Sequence, residues 1–480
     1  MSASREKKTR QERGSDYVSP KQKKALEEQK ANRRTTAIFA VCAVAFVAAL
    51  AAMVLWNNGV FQRGAAAASV NGKDYSVSDV AYYYYNSRAN AVNSSGLDNT
   101  RSLRTQEYTA SEDYATWYDY LADQSVRYLA TTELTAEAAR ADGFSSDEVD
   151  KTVSETMDSL KSAASATGYS VNGYIKAIFG GLTSRADFEK NLRTAALSEA
   201  YTNAKTDVAS YSEDELNAVY DADPKSYTMV SYESLAFLNS NYAVEAVEAT
   251  ETTPAVEADD GSAAAKAAAE DALAAYREGK GLEYLADELS GTYSNTHSYY
   301  SDSSDVAAWL FDDARKDGDS AVLDYSYYGY SMGSVVVVFH GKERADFHTV
   351  NVRHILVEDE ATANDILAQY QAGEQTEEAF AALAQEHSTD NAENGGLYEN
   401  VYVGQMVAPF EDWCFDPARQ SGDTGIVETS YGYHVMYFIS ANDVPYWKQM
   451  AANKLANDWA ESLTANLETK LLDGMKYIDP

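Results

Sequence analysis

Ala37 to Trp56 is a run of twenty residues without a charge, built mainly from Ala, Val, Phe and Leu. A helix of that length just crosses the hydrocarbon core of a bilayer, and few other environments accept such a segment. Arg33 and Arg34 abut one end and Trp56 closes the other, so the expected topology is single-pass in a cell membrane. The N-terminus is then cytosolic and the body extracytoplasmic. A cleaved signal peptide is the competing reading, with Ala65-Ala66-Ala67-Ala68 as the small residues before a cut. The apolar run is longer than a usual signal core and follows an unusually long tail, which favours an uncleaved anchor. Cys42 lies inside the run with no lipobox before it, so a lipid anchor is not expected.

The anchor also divides the charge. Residues 1–34 carry eleven Lys/Arg against five acids, whereas residues 35–480 carry 28 basic and 69 acidic residues, a net of −41. No nucleic-acid partner is expected for such a body, because phosphate binding needs a basic face. Its aromatic content, with 36 tyrosines, argues against a disordered acidic chain. Cys42 and Cys414 are the two cysteines, one in the apolar run and one near the other end of the chain. They supply neither an intramolecular disulfide nor a thiolate metal site, and the body relies on packing.

Val70-Asn71-Gly72-Lys73 reads as a tight turn, and from Ser78 to about Tyr220 the pattern is helical. Capping boxes are expected at Ser145-Ser146-Asp147-Glu148 and at Ser212-Glu213-Asp214-Glu215. In the run Tyr82 to Tyr85, two rings are expected to pack and two to lie at the surface, with a peptide-binding stripe as the alternative. From about Met229 the pattern changes to short strands, and an internal repeat emerges. Ala269 to Gly279 parallels Ala363 to Gly373, and Trp309 to Arg315 parallels Trp413 to Arg419, each of the latter followed after two residues by Gly-Asp. Each block closes on an apolar strand, Val335 to Phe339 and Val435 to Ile439, so the body is expected to hold two copies of one α+β module. An acidic loop is expected at about 241–261. Leu455, Trp459, Leu463, Leu467 and Leu471 suggest a helix packing back on the N-terminal helices.

The C-terminal copy carries five ordered polar or glycine-rich elements. They are Arg353-His354-Ile355-Leu356-Val357, Ser388-Thr389-Asp390, Gly395-Gly396, Gly404-Gln405-Met406-Val407-Ala408-Pro409-Phe410-Glu411 and Thr429-Ser430-Tyr431-Gly432-Tyr433-His434. Together, over about His348 to Ala441, they resemble the parvulin-type peptidyl-prolyl isomerases. The resemblance implies catalytic roles for His354, Asp390, His434 and Thr429, and a substrate pocket including Met406, Phe410, Tyr398 and Val407. It implies no cofactor and no metal. A divalent metal held by the two histidines and the carboxylate is the minor alternative. The chain departs from the family at Gly395-Gly396-Leu397-Tyr398-Glu399, where Gly-Gly-Asp-Leu-Gly is common. It is also acidic at Glu358-Asp359-Glu360, where phosphoprotein-directed relatives are basic, so unmodified substrates are expected. In the first copy, Ser234 stands at the place of His354, and Thr292 and Ser331 fill the other two places. That copy is expected to be inactive, either a spacer or a peptide-binding surface.

The layout looks like the PrsA and SurA group of extracytoplasmic foldases. The expected fold class is α+β. Residues 1–34 form a basic cytosolic tail, 35–57 a single transmembrane helix and 70–225 a helical chaperone-like domain. A degenerate parvulin-like module spans 229–343, a parvulin-type isomerase domain 347–442 and a C-terminal helix 445–480. The expected partners are unfolded or newly exported polypeptides containing X-Pro, and the lipid bilayer through residues 37–56. A non-catalytic holdase or scaffold that uses the parvulin fold only for peptide binding is the alternative.

Overall fold

Asn71 and Gly72 both adopt positive φ (48° and 82°), as a two-residue hairpin turn requires, and they join strands β1 (Ala66–Val70) and β2 (Lys73–Ser76). A computed structural model describes residues 20–95, 97–98, 100–246, 257–300, 304–327 and 330–479. Residues 1–19 of the basic tail and 247–256 of the acidic loop lie outside it. The chain forms two compact units, residues 1–201 with 462–480, and residues 202–461.

In the first unit, helix α1 (Pro20–Asn57) contains the window Ala40–Asn57, with mean hydropathy 2.2 and every residue exposed, long and apolar enough to cross a membrane. The short helix α2 (Val60–Arg63) leads to the β1–β2 hairpin. Helices α3 (Val77–Ser95), α4 (Trp117–Ala141), α5 (Asp147–Ala166), α6 (Val171–Ile178) and α7 (Arg185–Thr206) follow. A third strand, Thr469–Leu471, pairs antiparallel with β1, and Met475 and Ile478 enter the same core. The helical unit is therefore discontinuous in sequence, in contrast to the expected continuous 70–225. The tyrosine run also differs from expectation. Tyr82, Tyr83 and Tyr84 are all buried and Tyr85 is half-buried, because α3 is covered on several sides, with Phe179 stacked on Tyr82 and Phe188 edge-on to it. At the start of α5 the cap is Ser146, whose hydroxyl accepts from Glu148 N–H. Ser145 forms no capping box there.

The second unit opens with α8 (Glu213–Ala222), and here the box expected at Ser212 and Glu215 is complete. Strand β3 (Thr228–Leu238), helices α9 (Ser262–Arg277) and α10 (Leu282–Leu289), strand β4 (Thr292–Tyr299), helix α11 (Asp305–Leu310) and strands β5 (Ser320–Tyr327) and β6 (Tyr330–Arg344) make a four-stranded sheet of order β4-β3-β6-β5. Then come β7 (His348–Val357), α12 (Glu360–Ala372), α13 (Glu377–His387), β8 (Leu397–Val401), α14 (Ala408–Cys414), β9 (Thr424–Thr429) and β10 (Gly432–Pro445). They give a second sheet of order β8-β7-β10-β9.

The two Trp…Arg blocks fold alike. Arg315 lies over the Trp309 ring and Arg419 over the Trp413 ring, at 4.6 and 4.1 Å. Gly318 N–H donates to Phe339 O and Gly422 N–H to Phe438 O, at 2.8 and 2.9 Å. Leu235 pairs with Val336 as Ile355 pairs with Val435. On that register Val335, opposite Ala236, stands where His434 stands opposite Leu356. Ser331, expected there, instead pairs with Ser326 near the strand end.

The last helix, α15 (Tyr446–Thr464), buries Trp447, Ala451, Ala452 and Ala456, with Trp447 edge-on to Tyr220 of α8. It ends before Leu467 and Leu471, so the leucine stripe does not continue as one helical face. Leu471 sits opposite Ala68 in the three-stranded sheet.

Candidate active site

Strand alternation places the first site residue. Val350, Val352 and His354 share one face of β7, while Ile355 and Val357 point to the α12–α13 side and pack with Ile366, Tyr370 and Phe380. The Val350–Val352 face packs against Val401, Phe410 and Met436. His354 is the polar end of that row and is 2% exposed.

Two glycines and a serine build the wall around it. Gly396, at φ 68°, brings its own carbonyl to His354 N–H at 2.9 Å, and a Cβ there would fall 2.0 Å from His354 O. No other residue fits at that position. Ser388 Oγ accepts from Leu356 N–H and donates to the carbonyl of Asp390, while Thr389 N–H and Oγ1–H both donate to Leu356 O. The Ser388-Thr389-Asp390 loop is thus strapped to β7, which aims Asp390 at the histidine.

His354 Nδ1 and His434 Nδ1 lie 2.9 Å apart, and Thr429 Oγ1 lies 2.9 Å from His434 Nε2. Asp390 Oδ2 is 3.3 Å from His354 Nε2, an electrostatic contact without hydrogen-bond alignment, and it accepts the Tyr398 hydroxyl at 3.0 Å. One proton arrangement suits the histidine and carboxylate contacts: the Thr429 hydroxyl, which also lies 3.3 Å from Gly432 O, donates to His434 Nε2, His434 Nδ1–H donates to His354 Nδ1, and His354 Nε2–H faces the carboxylate. The reverse order would leave a bare nitrogen facing Asp390.

Burial pushes the His354 imidazole down to about 4, helped by His434 and opposed by Asp390. Burial also lowers His434. Both rings are neutral near pH 7. Tyr398 moves the other way, raised by burial and then by its bond to Asp390, and so stays a donor.

These groups open on a cavity of about 490 Å³ walled by Tyr398, Met406, Val407 and Phe410. Phe410 is 3% exposed and stands edge-on to both imidazoles, at 5.4 and 5.3 Å. All eight residues singled out in the sequence come together here. The departure at Leu397-Tyr398 is resolved locally, since the Tyr398 ring stands edge-on to His354 at 5.0 Å and closes the floor. Leu356, Thr389, Gln405 and Tyr431 also line the cavity and were not singled out as site residues. Alternation from His354 would have identified Leu356. The others are loop side chains whose aim depends on the fold.

Residues 337–441 match the family model of the PPIC-type PPIASE domain. Foldase protein PrsA 1 of Listeria monocytogenes is 35% identical over 130 residues, covering 26% of this chain and 43% of the relative. Foldase protein PrsA of Caldanaerobacter subterraneus is 38% identical over 100 residues, or 20% of this chain and 31% of the relative. The chain thus spans less than half the length of these relatives. Among solved structures, the peptidylprolyl isomerase PrsA of Bacillus cereus aligns at 28% identity, covering 25% of this chain and 49% of that one, with a TM-score of 0.20. The segment 337–441 belongs to the PPIC-type peptidyl-prolyl isomerase family.

Proposed function

We propose that the chain is a membrane-anchored extracytoplasmic foldase that isomerises X-Pro bonds in unfolded exported polypeptides. The observation that carries this reading is the buried neutral His354–His434 pair, held by Thr429 and with Asp390 3.3 Å from His354, opening on a cavity lined by Met406, Val407 and Phe410.

Rotation about X-Pro is opposed by amide resonance, with a barrier of about 18–20 kcal/mol. Resonance places negative charge on the carbonyl oxygen and double-bond character on C–N. Proline seated among Met406, Phe410 and Val407 would lose its water shell, which weakens stabilisation of the charge-separated planar form. Asp390, about two-fifths exposed at the rim, presents negative charge toward the carbonyl and raises the energy of the planar form more than that of the twisted one. The histidines and Thr429 hold the wall of the pocket, and no covalent bond is made or broken.

The two four-stranded modules are read as tandem copies, the first at 229–343 and the second at 347–442. With Ser234 and Val335 in the places of the two histidines, the first copy lacks the pair. The helical unit is read as chaperone-like, and residues 37–56 as the anchor, with the basic tail in the cytosol. The test is isomerisation of a short X-Pro peptide, with His354→Ala and Asp390→Ala combined. A chain that kept wild-type turnover would instead be a holdase.

A further inference from the structure

The loop that delivers Gln405, Met406 and Val407 to the cavity is held from outside its own module. Tyr299, on edge strand β4 of the first sheet, donates its hydroxyl to Val403 O at 2.8 Å. Its ring stands edge-on to Tyr402 at 5.7 Å, and Tyr402 itself stacks on Tyr446 at 5.0 Å. Two residues earlier on the same strand, His297 Nδ1 lies 3.3 Å from Glu411 Oε1, without hydrogen-bond alignment. The other oxygen of Glu411 accepts Gly404 N–H at 2.5 Å. Glu411 is 9% exposed and follows the pocket residue Phe410 on α14.

Gly404 completes the contact. Its φ is 90°, and a Cβ there would fall 2.9 Å from the carbonyl oxygen of His297, so the loop approaches β4 as closely as a backbone can. Within the loop, Gln405 Oε1 accepts Tyr402 N–H at 3.1 Å, so the pocket side chains follow Tyr402 and Val403 wherever β4 sets them.

We propose that β4 of the module lacking the histidine pair is a clamp on the proline pocket, with Tyr299 and His297 as positioning residues that set the grip on substrate through the 402–407 loop. The first module is then neither a mere spacer nor, on this surface, a second binding site. It is a structural part of the neighbouring active centre. The proposal rests on the isomerase reading above.

The test uses the full chain and a short X-Pro peptide, with KM and kcat separated by NMR exchange at several peptide concentrations. Tyr299→Phe keeps the ring packing and removes one hydrogen bond to the loop. It should raise KM by about three- to tenfold, the scale of one such bond, while kcat stays within about twofold. Met406→Ala should raise KM by itself. In the double variant the effect of Tyr299→Phe should largely vanish, because it acts through the same loop. Unchanged KM in Tyr299→Phe, or full additivity with Met406→Ala, overturns the clamp while leaving the isomerase reading intact. Unchanged KM in Met406→Ala removes the pocket assignment and the clamp with it. Should Tyr299→Phe fail to fold, His297→Ala carries the same expectation and the same refutation.

Discussion

His354 is a buried histidine whose neutral form the fold requires, since a second proton on Nδ1 would oppose the Nδ1 of His434 2.9 Å away. Its titration point is lowered to about 4, so isomerase activity should stay level from neutral pH down to about 5 and fall below that as the pair takes up a proton. Stability moves over a related window. An unfolded histidine protonates near 6.5 while the folded one resists to about 4, so His354 makes no difference at high pH and lowers stability as pH drops between those points. Thermal melts at pH 7.5 and 5 should therefore show a smaller loss in His354→Gln than in wild type. Asp390 acts differently, because it faces solvent as well as His354. Asp390→Asn removes charge but keeps shape, and should lower kcat on the order of tenfold or more while KM changes little. A KM effect alone would make Asp390 a binding residue. The grouping of the eight candidate residues was legible because the family spaces its elements in a fixed order. Their contacts were not, because the Tyr398 hydroxyl on Asp390 depends on a departure from that order.

Among the elements, the strand–loop joints matter most. Gly396 lets the chain turn back within 2.9 Å of His354, and Ala at this position meets both left-handed strain and a carbonyl oxygen 2.0 Å away. Gly396→Ala should cost about 1–3 kcal/mol from backbone strain, plus whatever shift the carbonyl makes, and should displace His354. Chemical denaturation and the His354 ring NMR signals would measure both. The sequence marked the closing strands and the start of α8 well, since Val335–Phe339 and Val435–Ile439 are continuous apolar runs buried nearly throughout and α8 carries a full capping box. It failed where burial came from more than one side, as in the tyrosine run of α3. It failed again where a leucine spacing of four continued past the end of a helix, so that Leu471 became a strand residue. Asp359, read as part of an acidic repulsive loop, also caps α12 by accepting Thr362 N–H.

For the whole molecule, the segment 462–480 closes the helical unit rather than extending the C-terminal helix. Tyr118 donates to Met475 O, the Arg104 guanidinium donates to the carbonyls of Ile478 and Asp479, and Tyr84 donates to the Asp479 carboxylate. Ending the chain at Glu461 should therefore raise hydrogen exchange through α3 and α4 while leaving β7 and β10 protected. Equal protection in both chains would contradict that dependence. A chain ending near Lys225 would lack the same strand and lose the same closure. Linear reading could not supply this closure, because strand Thr469–Leu471 finds its partner some four hundred residues upstream. The most direct test remains turnover of a short X-Pro peptide by the full chain, wild type against the His354→Ala, Asp390→Ala double variant. A catalytic pair predicts isomerisation near the uncatalysed rate in the variant with its fold retained, whereas wild-type turnover in a folded double variant would contradict it.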